Sequence, residues 1–81
     1  MSGYRIEHQP GQARFVLLKE TKECVLYYQL EGDTVDFSHT YVPFAVRGQG
    51  LAEVLVEQGL HWARQQGYCI QASCWYVRKF L

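Results

Sequence analysis

The sequence predicts an α+β fold: a four-stranded antiparallel meander, then one helix, then a fifth strand parallel to the fourth. Three observations carry this prediction. Short β-rich segments separated by turn signals fill residues 4–42. A helical period replaces them after Pro43, and a short apolar segment follows Gly67. At 81 residues the chain has room for one domain, expected to run over residues 1–81.

Residues 4–8 (YRIEH) alternate apolar and polar side chains, as a half-buried strand does. Pro10-Gly11 breaks the chain, and residues 14–19 (RFVLLK) form the second strand. A polar turn at residues 20–23 leads to residues 24–30 (CVLYYQL), a third strand rich in β-formers. Gly32-Asp33 turns the chain again. Residues 34–42 then alternate, which puts Val35, Phe37, His39 and Tyr41 on one face and Asp36, Ser38 and Thr40 on the other.

From about residue 50 to residue 66, Ala52, Leu55, Val56, Gly59 and Ala63 recur on one face of a helix, with Glu53, Glu57, His61 and Arg64 away from it. Gly59 in mid-helix points to close packing on the sheet, and Gly67 supplies the stop. Residues 68–72 read as the fifth strand. A strand, a helix and a strand in this order make a right-handed crossover, which sets the fifth strand parallel to the fourth. Residues 75–81 read as a helical turn or short helix. Trp62 and Trp75 are expected to pack on the sheet, Cys24 and Cys69 to lie in its core, and His8 and His61 at its surface.

Eight Lys and Arg balance eight Asp and Glu. Without a basic excess the chain lacks the electrostatic footprint of a nucleic-acid module. No apolar run approaches the roughly 20 residues of a membrane helix, and no signal-peptide pattern opens the chain. The three cysteines lack zinc-site spacing, and the acidic residues show no metal-binding pattern. The chain therefore reads as a reduced, cytoplasmic protein without a metal, a disulfide with one cysteine left over being the other arrangement.

The most informative segment joins the fourth strand to the helix: Arg47, Gly48, Gln49, Gly50, Leu51 and Ala52. A helix N-terminus has amides without intrahelical partners and a partial positive charge, which suits a phosphate. Glycines let the backbone approach it closely. A Walker loop would need Gly-Lys followed by Ser or Thr, but Gly50 is followed by Leu51. The dinucleotide fingerprint would need Gly or Ala at Glu53. A plain strand-to-helix turn without a ligand is the alternative.

Residues 42–56 (VPFAVRGQGLAEVLV) resemble motif A of the GNAT superfamily of acyl-CoA N-acyltransferases, with Arg47, Gly50 and Ala52 at its defining positions. Together with His39-Thr40 before the loop and Cys74-Trp75-Tyr76-Val77 after the fifth strand, they resemble a small one-domain GNAT-like subfamily, over roughly residues 15–81. The resemblance implies a truncated GNAT-like fold and acetyl-CoA or another acyl-CoA as cofactor. It implies that the amides of Gln49 to Ala52 hold the pyrophosphate. It also implies that Tyr41, Val42 and Pro43 run beside the pantetheine arm, where the fourth and fifth strands part. The two helices between the first strands and the last hairpin of a full-length GNAT enzyme are absent from the pattern.

Three residues are candidates for catalysis. Cys74 is a nucleophile or an acid for the leaving thiolate, helped by a helix start at Cys74-Trp75; its other reading is a buried structural cysteine. Tyr76 matches the tyrosine that many GNAT enzymes use as acid after the fifth strand, or else packs on the core. His39 carries an imidazole, the side-chain type best suited to a general base, or else is an inward-pointing structural histidine, while Thr40 faces away and stabilises the strand edge. The function these readings support is transfer of an acyl group from acyl-CoA to an unidentified amine, by a monomer or homodimer. The alternatives are a CoA-binding module without turnover and a protein-interaction domain presenting Tyr27, Tyr28 and Trp75.

Overall fold

A computed structural model describes residues 3–81, so the first two positions of the expected 1–81 domain lie outside the described residues. Its strands are β1 (Arg5–Gln9), β2 (Arg14–Lys19), β3 (Lys22–Glu31), β4 (Thr34–Tyr41) and β5 (Cys69–Ala72). Helix α1 (Leu51–Gln66) joins β4 to β5, and a four-residue helix α2 (Trp75–Arg78) follows β5. The sheet order is β1-β2-β3-β4-β5, antiparallel throughout except for the parallel pair β4 and β5. No helix stands between β1 and β2, only a single 3-10 turn at Pro10–Gln12. The fold is the truncated GNAT-like α+β architecture that the sequence predicts.

The expected turn at residues 20–23 is tighter than the sequence implied. Lys19 pairs with Lys22, leaving two residues at the tip, and Glu20 takes a positive φ of 55°.

One layer of sheet packs on one helix. Phe15, Leu17, Cys24, Leu26, Tyr28, Val35 and Phe37 cover one face of the sheet, and Leu51, Leu55, Val56, Leu60 and Ala63 of α1 close over them. This is the amphipathic stripe the helical period announces. The closest approach is at Gly59. A Cβ there would stand 2.8 Å from Leu26 Cδ2 and 3.0 Å from Phe37 Cε1. The absence of a side chain lets α1 lie directly on β3 and β4.

Several expected placements are corrected. Cys69 is exposed, because it pairs with Thr34 on the face of the sheet away from α1. Tyr28 is buried rather than a surface aromatic, and Trp75 is 70% exposed rather than packed on the sheet. His8 is half-buried, not at the surface. It pairs with Phe15, stacks on that ring at 4.1 Å, meets Trp62 edge-on, and shares a 2.7 Å hydrogen bond with the Tyr28 hydroxyl. Burial pushes the His8 pKa down and the Tyr28 pKa up.

Two predictions follow from this packing. Gly59→Ala gains about 1 kcal/mol of helix propensity but must displace Leu26 or Phe37, and overpacking costs about 1–3 kcal/mol. The net effect expected in a thermal melt is a lower melting temperature; an unchanged or raised one contradicts the close-approach reading. His8 gives a pH dependence. Its folded pKa lies below that of the unfolded chain, so the unfolded chain takes up the proton first. Stability is therefore full above the usual imidazole value near 6.5 and falls as pH drops through the lower folded value. Melts at pH 7.5 and 5.0 are expected to show this loss in the native chain and a smaller one in His8→Gln.

Candidate functional site

The site is set by where β4 and β5 separate. The two strands pair through Thr34–Cys69, Val35–Ile70, Asp36–Gln71 and Phe37–Ala72, and no further. At the same level β4 bulges against β3. Phe37 faces Tyr28, His39 faces Tyr27, and Ser38 is the extra residue between them. A bulge inserts one residue and reverses the facing of everything after it.

The bulge corrects the expected faces of β4. Val35 and Phe37 point to the core, but His39 and Tyr41 are exposed. Tyr27 and His39 stack at 6.2 Å on the face away from α1. Thr40 is the residue that turns inward, opposite Leu26, and its hydroxyl lies 3.6 Å from Cys74 Sγ. The residue pattern instead sets Thr40 facing away at the strand edge, since nothing in it marks the bulge at Ser38.

Between the parted strands lies a cleft of about 590 Å³. Its lining includes His39, Thr40, Tyr41, Cys74, Trp75 and Tyr76, so all three candidate catalytic residues border one space, His39 from the opposite face of the sheet. A second hollow of about 240 Å³ continues along the glycine loop. Val42, Arg47, Ala52 and Tyr76 line both. The result is one groove running from the N-terminus of α1 to the Cys74 thiol.

The loop is built for close approach at its surface. Gly48 and Gly50 have φ of 82° and 74°, and a Cβ on either would project into open space. These conformations cost other residues dearly. Gly50 caps α1 with no side-chain bond to the first-turn amides. Arg47 Nε donates to Val42 O at 2.9 Å and its guanidinium stands over the Phe44 ring, so this side chain ties the loop to the end of β4. Lys19 Nζ donates to Gln49 Oε1 at 2.7 Å and ties the loop to β2.

Cys74 is half-buried at the start of α2. Burial acts first and pushes its thiol up. The Thr40 hydroxyl and the backbone groups of Val77, Tyr76 and Thr40 act the other way, and together they hold the thiol below its usual value. Tyr76 is half-buried, and burial followed by the nearby Glu53 carboxylate raises its pKa, so the phenol keeps its proton at neutral pH. Trp75 stands exposed at the mouth with the Lys79 ammonium 5.4 Å from its ring centre. Among the described residues no cluster of three metal-ligating side chains occurs, and no helix is long and apolar enough to cross a membrane.

The family model of the GCN5-related N-acetyl-transferases matches residues 14–81. Protein NATD1 of Xenopus tropicalis is 34% identical over 83 residues, which take in 99% of this chain and 76% of that protein. Protein NATD1 of Homo sapiens is 31% identical over 80 residues, covering 95% and 71%. The solution structure of a GCN5-like protein from Staphylococcus aureus superposes with a TM-score of 0.74 over 99% of this chain and 79% of that one, at 22% identity. By the family model and these relatives, the chain belongs to the GCN5-related N-acetyltransferase family.

Proposed function

We propose that this domain, read as one unit over residues 1–81, is an acyl-CoA-dependent N-acetyltransferase that moves an acetyl group from acetyl-CoA to an amine through Cys74. The observation that carries the reading is the single groove from the glycine loop to a thiol held below its usual pKa. The residues present fit the cofactor. Open space faces Gly48 and Gly50, where a pyrophosphate needs room against the backbone. The amides of Gln49, Gly50, Leu51 and Ala52 are its donors, with the Arg47 charge beside them. Tyr41, Val42 and Pro43 flank the pantetheine arm along the unpaired end of β4.

Bound acetyl-CoA supplies an activated thioester. The Cys74 thiolate would form a new S–acyl bond as the acyl C–S bond to CoA breaks, and CoA would leave as a thiolate that takes its proton from water. Tyr76, which keeps its proton, donates a hydrogen bond to that sulfur. The amine then takes the acetyl group from Cys74, which returns as thiolate, and the amine's proton passes to His39 or solvent. Cys24, Cys69 and Cys74 are all free thiols, in keeping with a reducing cytoplasmic setting. The acceptor is reached from the open mouth of the cleft, in a monomer or with a second copy beside it.

Cofactor binding is tested with Ala52→Asp. An acidic residue in the first helical turn is favourable for the helix but repels a phosphate. CoA at about 100 times its dissociation constant is expected to stabilise the native chain by about 2.7 kcal/mol in a thermal shift. The variant is expected to keep its own melting temperature and lose the response; an equal response in both rules the loop out as the phosphate site.

Catalysis is tested by intact-mass measurement after incubation with acetyl-CoA. A gain of one acetyl group on Cys74 is expected, rising with pH to a midpoint below that of a free thiol, since the thiolate is the reactive form. Thr40→Val removes one hydrogen bond to the sulfur, worth about 0.5–1.5 kcal/mol, and is expected to slow adduct formation about two- to tenfold at pH 7. CoA binding without any adduct or turnover across a panel of amines favours the binding-module alternative.

A further inference from the structure

The groove leaves one polar cluster without a role, on the face of the sheet opposite α1. Asp36 Oδ1 accepts the backbone N–H of Ser73 at 2.7 Å, and Asp36 Oδ2 accepts the Ser73 hydroxyl at 2.6 Å. Both bonds are short and charge-assisted, and together they fix a plane as well as a distance. Ser73 is the first residue beyond β5, and Cys74 is the next. The following backbone bond, Cys74 N–H to Phe37 O at 3.1 Å, is the last between this segment and β4.

We propose that Asp36 is a positioning residue for Cys74, gripping Ser73 so that the turn out of β5 delivers the thiol to Thr40. The inference rests on the reading that Cys74 is the reacting group of the groove. Its physical basis is the weakness of everything else that holds the turn. Helix α2 has four residues, too few to fold on its own account. Strand pairing with β4 has ended at Ala72, and beyond it a single backbone bond, Cys74 N–H to Phe37 O, joins this segment to β4. The opposite end of the short segment is held by Arg78, whose Nε and Nη2 donate to Ala72 O at 3.3 and 3.1 Å. Asp36 thus fixes the entry to the turn and Arg78 the exit, with Cys74 between them. Val77, buried at the centre of α2, keeps the segment against the core. It does not set the rotation of the backbone at Ser73.

Asp36 does not itself line the cleft and reaches it only through Ser73, which does, so its effect on the thiol passes through the geometry of that turn. The test needs no acceptor and no cofactor. Iodoacetamide is the probe, and peptide mass spectrometry reads the alkylation rate of Cys74 against pH, with exposed Cys69 as internal reference. In Asp36→Ala the Cys74 rate at pH 7 is expected to fall roughly three- to tenfold and its midpoint to move up towards a free thiol. The Cys69 rate is expected to stay constant. Asp36→Asn keeps an acceptor for the N–H and a partner for the hydroxyl, and is expected to stay within about twofold of the native rate. Ser73→Ala removes only the hydroxyl bond, and an intermediate effect is expected.

A Cys74 profile unchanged in Asp36→Ala overturns the proposal, and so does equal impairment in Asp36→Asn, which would make charge rather than grip the cause. Melting temperatures of the three variants separate global unfolding from local release. If Asp36→Ala does not fold, the graded comparison of Ser73→Ala and Asp36→Asn decides the matter. The acetyl adduct on Cys74, measured separately, decides whether the thiol carries acyl transfer. Its absence removes that reading and leaves the alkylation result to stand or fall alone.

Discussion

Strand β4 is paired differently along its two halves, and the groove exists because of it. Up to Phe37 it has β3 on one side and β5 on the other. Beyond Phe37 the β5 side is vacant, and the edge groups of residues 38–41 face a cleft instead of a strand. An unpaired edge in the middle of a sheet is ordinarily a hazard, because its N–H and C=O groups seek another strand. Here the vacancy is short, it is flanked by α2 and the glycine loop, and it is lined by side chains from both. On the proposed reading, an extended ligand carrying its own amides, as pantetheine does, takes the place of the missing strand.

The bulge at Ser38 and the missing side chain at Gly59 act on the two sides of that groove. By reversing the pleat, the bulge turns Thr40 towards Cys74 and sends His39 to the other face. The gap at Gly59 lets α1 settle against Leu26 and Phe37, the residues flanking the bulge level, and so fixes where the first turn of the helix comes to rest. A helix held further from the sheet would carry Leu51 and Ala52 away from the end of β4. Core packing and site geometry are thus one problem in this molecule. In this thin single-layer core the helix contact acts together with the Lys19–Gln49 and Arg47–Val42 hydrogen bonds to locate the loop.

The fold was legible in the residues because it rests on local signals: alternation in β1 and β4, β-rich segments in β2 and β3, a clear helical stripe in α1, and turn residues between them. The glycine loop was legible for a similar local reason, since left-handed backbone at Gly48 and Gly50 demands glycine. What escaped were facts about which way residues point once regularity fails. His39 and Thr40 exchanged faces because a two-residue period assumes an unbroken pleat, and a bulge is a backbone event that Ser38 does not announce. Cys69 reads as inward because it lies inside a strand pattern, yet its register with Thr34 sets it outward. His8 was assigned outward because it is polar, yet the Tyr28 hydroxyl satisfies it among aromatic rings. In both cases the local reading was outweighed by register.

The chemistry of Cys74 explains why such small displacements matter. A thiol can be made acidic by a neighbouring cation or by hydrogen bonds to its sulfur. The influences on Cys74 are burial, which opposes ionisation, and then contacts with the Thr40 hydroxyl and three backbone groups; no charge is among them. The two strategies differ in reach. A cation's field declines slowly with distance, so a side chain misplaced by a fraction of an ångström keeps most of its effect. Hydrogen bonds weaken steeply with poor distance or angle, while the burial that opposes ionisation stays. A thiol tuned in this way is therefore only as acidic as its backbone is well placed. Its acidity is a property of the turn between β5 and α2, and hence of the point at which β4 lets its neighbour go.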